Sequence, residues 1–210
     1  NSWETYEQFS RAINDQSENG QIGPNKVSVF TRKAGYHFGW DWGPRLVPCG
    51  IWRPVYAEAW NLMKINDIFL STIRIKGNRA EIKGEFSVTA GKAVKTTLTL
   101  KAGPNIWLTA PVELIEGENH ISQTFTVRNP ELWWPNGYGQ PHLYDLTCTL
   151  ATAGMHEAIY ETRTGIRTVR LVQDPDPDGN GRSFYFEING VPVFAKGANY
   201  IPSDAFTPRL

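Results

Sequence analysis

Arg79-Ala80-Glu81-Ile82-Lys83-Gly84-Glu85-Phe86-Ser87-Val88-Thr89-Ala90 alternates small or apolar residues with charged and hydroxyl-bearing ones. A period of two places Ala80, Ile82, Phe86 and Val88 on one face of an extended strand, with Glu81, Lys83, Glu85 and Ser87 on the other. Leu146, Cys148 and Leu150 repeat the pattern downstream. Between 61 and 163 the candidate strands are 67–76, 79–90, 93–100, 106–114, 117–127 and 144–151, with turn residues between them. Short strands at this interval over about 100 residues predict an immunoglobulin-like β-sandwich. The region has no Cys…Trp…Cys pattern, so the expectation concerns architecture and not antibody ancestry.

Upstream of this region the chain changes character. Trp3, Tyr6, Phe9 and Ile13 recur at spacings of three and four, which predicts a short amphipathic helix begun by Ser2. Residues 21–25 read as loop, and Lys26-Val27-Ser28-Val29-Phe30-Thr31-Arg32 as an alternating strand. Then comes Gly39-Trp40-Asp41-Trp42-Gly43-Pro44, two indoles and one carboxylate held between backbone punctuators. A pyranose offers C–H faces that lie against indole rings and hydroxyl pairs that one carboxylate accepts. Trp40, Asp41 and Trp42 are therefore candidate sugar-binding residues; the other reading makes the tryptophans core and Asp41 a turn cap. Residues 51–60 read as a further strand offering Ile51, Val55 and Ala57 to a core. Too short and too aromatic for a whole domain, 1–60 is read as the last part of a sandwich.

Downstream, Asn129-Pro130-Glu131-Leu132-Trp133-Trp134-Pro135-Asn136-Gly137 forms a stiffened loop. Adjacent residues on an extended segment point to opposite sides, so at most one of the two indoles can serve a given face, and an anchor between domains is expected. Residues 166–172 read as a strand. Ser183-Phe184-Tyr185-Phe186-Glu187-Ile188-Asn189-Gly190-Val191-Pro192-Val193-Phe194 reads as a hairpin turning on Asn-Gly. Nothing after it closes a core, so 164–210 is taken as the beginning of a third domain.

The bulk composition narrows the function classes. With 210 residues, 40% hydrophobic and 12% aromatic, the chain can bury one or two cores. Its 21 Lys+Arg balance 21 Asp+Glu with no basic block, which argues against nucleic acid and anionic membrane surfaces as partners. No apolar run approaches the roughly 18 residues of a membrane span. The chain starts at Asn1-Ser2-Trp3, without a methionine or a signal peptide, and reads as a piece of a longer protein. Cys49 and Cys148 make no disulfide framework; two buried free thiols are expected, with a pairing as the alternative.

Asp174-Pro175-Asp176-Pro177-Asp178-Gly179-Asn180 imitates the first half of a calcium loop. Its twelfth place is Tyr185 where a bidentate glutamate belongs, so a solvated hairpin loop is expected instead. His37, His120, His142 and His156 lack metal-ligand spacing, and neither Gly-x-Ser-x-Gly nor a phosphate-cradling glycine loop occurs. No metal or cofactor is expected.

Taken together, Arg32-Lys33-Ala34-Gly35-Tyr36-His37-Phe38-Gly39-Trp40-Asp41-Trp42-Gly43-Pro44-Arg45-Leu46, Gly50-Ile51-Trp52-Arg53-Pro54-Val55, the Trp133-Trp134-Pro135-Asn136-Gly137 loop and Lys196-Gly197-Ala198-Asn199-Tyr200-Ile201-Pro202 resemble the β-mannosidase branch of glycoside hydrolase family 2. The resemblance implies an all-β chain: residues 1–60 as the end of a jelly-roll sugar-binding-like domain, 61–163 as the immunoglobulin-like sandwich, and 164–210 as the opening hairpin and first strand of a (β/α)8 barrel. It implies an exo-acting, retaining hydrolase of terminal β-D-mannose, with a β-mannoside substrate, the remaining domains of the parent chain as partners, and a periplasmic, secreted or lysosome-like compartment. Trp40, Asp41 and Trp42 would bind the terminal mannose, and Asn199 would match the asparagine after the first barrel strand, at the substrate face; as a bare residue it could equally cap a turn. The family's acid/base is a glutamate following an asparagine, and no Asn-Glu dipeptide occurs here, so no catalytic residue is assigned. Competing classes are a β-galactosidase or β-glucuronidase relative, against which Trp-Asp-Trp argues, and a non-catalytic glycan-binding or structural sandwich.

Overall fold

The alternating stretch is a strand, β2 (Arg79–Ala90), and its period is written in its burial. Ala80, Ile82, Phe86, Val88 and Ala90 are each 2% exposed or less. The computed structural model describes residues 31–39, 43–153, 158–201, 203, 204, 206 and 209. The helix expected near the N-terminus, the loop 21–25 and most of the strand expected over 26–32 lie outside the described residues. The chain divides into two compact units, residues 58–196 and residues 1–57 with 197–210.

The larger unit holds β1 (Met63–Lys76), β2, β3 (Val94–Ala102), β4 (Asn105–Leu114), β5 (Gly117–Arg128), β6 (Tyr144–Ala151) and β7 (Ala158–Thr164) in two antiparallel sheets of order β1-β2-β5 and β4-β3-β6-β7. The sandwich is thus all-β, as its alternation predicts. Its core joins Ile82, Phe86 and Val88 from one sheet to Leu98, Leu100, Leu146, Cys148 and Leu150 from the other. Burying one such side chain stabilises the fold by about 1.5–3 kcal/mol, so this column outweighs any surface contact on the unit. At one open edge Tyr160 on β7 donates its hydroxyl to Asp67 Oδ1 on β1 at 3.4 Å. Desolvation there, together with the Asp67 charge, holds the phenol above its ordinary pKa.

Strand β7 was not among the expected elements. Its inward positions, Ala158, Tyr160 and Thr162, are only half-buried, and Glu161 and Arg163 point out. An edge strand pairs on one side only and needs a weaker apolar signal, so its sequence reads as polar connection.

Three further strands, β8 (Val169–Val172), β9 (Tyr185–Ile188) and β10 (Val191–Val193), form a small antiparallel sheet of order β10-β9-β8. Asn189 and Gly190 turn the hairpin with φ of 51° and 79°, the left-handed pair that a two-residue type I′ turn requires. The Asn189 side chain also accepts from the Thr168 N–H and donates to the Trp133 carbonyl, both at 3.0 Å. Trp133 N–H donates to Ile166 O at 2.9 Å, and the Arg167 guanidinium lies 4.7 Å from the Trp133 ring. A Cβ on Gly165 would come within 2.9 Å of Trp133, and one on Gly139 within 2.8 Å of Trp134. The two indoles therefore press on different glycines, and the Trp133 anchor works inside one compact unit, tying the sandwich to the small sheet. The acidic stretch is a hairpin loop closed by Ser183 N–H to Asp174 O and Asp174 N–H to Ser183 Oγ, each at 2.9 Å.

Residues 51–60 are not a strand, contrary to expectation. Ile51 is 85% exposed and Val55 78%, and no described residue pairs with them. An extended segment becomes a strand only with a ladder partner, and Pro54 contributes no N–H to one. No strand covers 194–201 either.

Three substitutions test these contacts by chemical denaturation with an unchanged m-value. Phe86→Ala should cost about 3–5 kcal/mol. Gly84→Ala, whose Cβ would sit 2.9 Å from the Phe86 ring, should cost about 1–3 kcal/mol through overpacking. Asn189→Ala should cost about 1–3 kcal/mol, because it strands the Thr168 N–H and the Trp133 carbonyl and puts a Cβ residue without a local hydrogen bond at positive φ.

Candidate functional site

The smaller unit carries the segment singled out for sugar binding. Gly35–Phe38 forms a 3-10 turn in which His37 N–H donates to Ala34 O at 3.1 Å and Gly39 N–H to Tyr36 O at 3.2 Å. Gly39 leaves it at φ 112° and ψ 152°, a conformation that a side chain rarely adopts, so glycine is required where the chain enters the Trp-Asp-Trp segment. Leu46 N–H then donates to His37 O at 3.0 Å and closes the ring of backbone from 37 to 46. Phe38 is 2% exposed, with the Arg45 guanidinium 5.5 Å from its ring, and Tyr36 meets His37 edge to face at 4.7 Å. The stem is thus packed on an apolar base. Trp40, Asp41 and Trp42 fall within the closed ring in sequence but lie outside the described residues.

Asn199 is exposed and lies in no strand, and it belongs to the same compact unit as the loop stem. In the following stretch, Asp204 accepts from Phe206 N–H at 2.8 Å and takes Arg209 in a fork, Nε at 2.6 Å and Nη2 at 2.7 Å. That bond to Asp204 raises the Arg209 pKa, so this cation stays committed to its own turn.

Beside the stem is an open cavity of about 500 Å³, whose lining includes Arg32, Lys33, Tyr36, Cys49, Trp52 and Phe206. Lys33 Nζ donates to the Pro48 carbonyl across it. Sequence reasoning did not find this cavity. Its one local signal is the adjacent pair Arg32-Lys33, and Phe206 joins from far along the chain, a proximity that no spacing reveals.

Both cysteines are free, but only Cys148 is buried; Cys49 is exposed. Cys148 points inward between Leu146 and Leu150, and burial pushes its thiol up to about 12. Cys49 stands between Pro48 and Gly50 on a segment that no strand covers. Among the described residues, no group of three or more His, Cys, Asp or Glu side chains could hold a metal, and no helix is long and apolar enough to cross a membrane.

These features can be set beside known proteins. The profile described as Glycosyl hydrolases family 2 matches residues 63–167, and that described as Glycosyl hydrolase 2 galactose-binding domain-like matches residues 4–53. The chain belongs to glycosyl hydrolases family 2. It is 36% identical over 188 residues to beta-mannosidase B of Thermothelomyces thermophilus, covering 87% of this chain and 21% of that protein. It is 34% identical over 193 residues to the beta-mannosidase of Capra hircus, covering 86% and 21%. The crystal structure of beta-D-mannosidase from Dictyoglomus thermophilum superposes with a TM-score of 0.80 at 35% identity, over 99% of this chain and 25% of that one. The chain therefore spans about a fifth of the length of the relatives it matches.

The thiol contrast gives a direct test. A neutral maleimide should label one thiol per native chain, at Cys49, and a second only after denaturation. The buried thiol also sets a pH dependence. The unfolded Cys148 ionises near its ordinary value of 9 and the folded one only near 12, so above about pH 9 the unfolded state holds fewer protons. Stability should fall as pH rises between these values, and Cys148→Ala should flatten that part of the profile; an unchanged slope would contradict the assignment.

Proposed function

We propose that this chain is the part of an exo-acting, retaining β-mannosidase that helps to hold the terminal mannose, and that it lacks the carboxylates that cleave the bond. The observation that carries the reading is the 0.80 superposition over nearly the whole chain on a solved beta-D-mannosidase. The relatives from Thermothelomyces thermophilus and Capra hircus, both named beta-mannosidases, support it from sequence. In this reading residues 1–60 end a jelly-roll domain, 61–163 are the immunoglobulin-like sandwich and 164–210 open a (β/α)8 barrel. The gap between the two matched profiles, after residue 53 and before 63, supports the first of these boundaries.

Asp41 accepts two hydroxyls of the mannose, Trp40 and Trp42 offer ring faces, and Asn199 contributes a polar contact from the same unit. The packed stem supports this role: a loop clipped by the His37–Leu46 bond and seated on Phe38 presents its tip at a lower entropic cost than a free one. A retaining mechanism needs two carboxyl groups about 5–5.5 Å apart, the second as nucleophile. The sequence holds no Asn-Glu dipeptide for the acid/base; in this reading the acid/base and, by the family resemblance, the nucleophile belong to the rest of the parent protein.

The test has two arms. The 210-residue chain should not hydrolyse an aryl β-mannoside above the uncatalysed rate, whereas the full-length parent should. In the parent, Asp41→Ala should lower kcat/KM by roughly one to three orders of magnitude, since charged hydrogen bonds are worth about 1.5–3 kcal/mol each. Asp41→Asn should recover little, because the amide nitrogen accepts no hydrogen bond. If Asp41 only caps its own turn, the same variants will melt lower while the folded fraction keeps normal kinetics.

A further inference from the structure

The cavity beside the loop stem has a chemistry of its own. Arg74, Arg163, Arg170 and Arg209 each sit against a carboxylate, whereas among the described residues none pairs with Arg32. Arg32 is exposed at the rim, Lys33 crosses the floor to Pro48, and no described lining residue is acidic. Aromatic rings line the same cavity: Tyr36, Phe206 with the Arg209 guanidinium 4.5 Å from its ring, and Trp52, which is 51% exposed and has the Arg53 guanidinium 4.6 Å from its ring. In a chain whose charges balance overall, this is a local excess of positive charge beside flat apolar surface.

A guanidinium with no protein partner presents a planar fork that suits a carboxylate, phosphate or sulfate, and a half-exposed indole suits the C–H face of a sugar ring. The volume of about 500 Å³ falls within the range of small-molecule sites. We propose that this cavity binds a saccharide unit bearing an anionic group, with Arg32 on the anion and Trp52 against the ring. Lys33 adds long-range attraction and keeps its ammonium on the Pro48 carbonyl. The saccharide part rests on the glycosidase reading above; the charge part rests on Arg32 alone.

Cys49 provides the readout, because it lines the same cavity, is exposed, and is distinguished from the buried Cys148. The experiment follows labelling of Cys49 by N-ethylmaleimide, which is uncharged, in the 210-residue chain. Glucuronate and mannose 6-phosphate are the probes, and mannose and inorganic phosphate the controls. A bound ligand that covers the thiol should slow labelling about threefold at twice its Kd, since the free fraction is 1/(1 + [L]/Kd). Protection by either anionic sugar, and by neither control at equal concentration, is expected; the arm that protects tells carboxylate from phosphate. Arg32→Gln should raise the Kd behind that protection about tenfold to a hundredfold, which all but abolishes it at the same ligand concentration, and rising salt should weaken it too. Trp52→Ala should weaken it without changing the labelling rate of the free chain. Equal protection by mannose would remove the charge requirement, equal protection by phosphate would reduce the site to a bare anion contact, and no protection, or protection that survives Arg32→Gln, would overturn the proposal. No turnover is measured, so failure here leaves the β-mannoside reading to its own test.

Discussion

The inward column of β2 is the constraint from which the larger unit follows. A strand in the middle of a three-stranded sheet must satisfy its backbone on both sides and hide one face, and Ile82, Phe86 and Val88 supply that face. Gly84 interrupts the column because the Phe86 ring lies where a Cβ would stand. The aromatic ring and the missing side chain are one packing decision, and a methyl group at 84 would be felt through the whole layer. Once β2 is placed, β1 and β5 add on its two edges, and the column of Leu98, Leu100, Leu146, Cys148 and Leu150 closes the sandwich from the other sheet.

A second set of contacts turns the sandwich into a base for the small sheet. Trp133 is pinned by Gly165 behind it, Arg167 over it and Asn189 on its carbonyl. Asn189 also turns the β9–β10 hairpin, so one residue sets both the turn and the docking of the turn. The backbone geometry that favours asparagine at this position leaves its amide free to make the long-range bonds. Local turn chemistry and tertiary connection thus coincide.

The smaller unit follows a different logic. It has few buried apolar residues among those described, and its apolar stretch over 51–60 is exposed. Order in the stem comes from short-range hydrogen bonds, a glycine at positive φ and the buried ring of Phe38. The neighbouring cavity is lined by the exposed Arg32, by Lys33 held on the Pro48 carbonyl, and by the rings of Tyr36, Trp52 and Phe206.

By itself the sequence determined the sandwich, since a two-residue period over many short segments admits little else, and it determined the Asn-Gly hairpin, whose turn needs positive φ at two successive residues. It also carried the family, through Trp-Asp-Trp and its flanking glycines. Tertiary structure decided what local pattern cannot express. Strand β7 exists because β6 offers it an edge, and 51–60 is no strand because no described neighbour pairs with it. Both cysteines are expected from sequence to be buried, yet the packing of β6 buries only the Cys148 thiol, and Cys49, between Pro48 and Gly50, is exposed. The cavity that brings Phe206 to Arg32 and Trp52 depends on contacts between residues far apart in the chain, and only the folded backbone sets those distances.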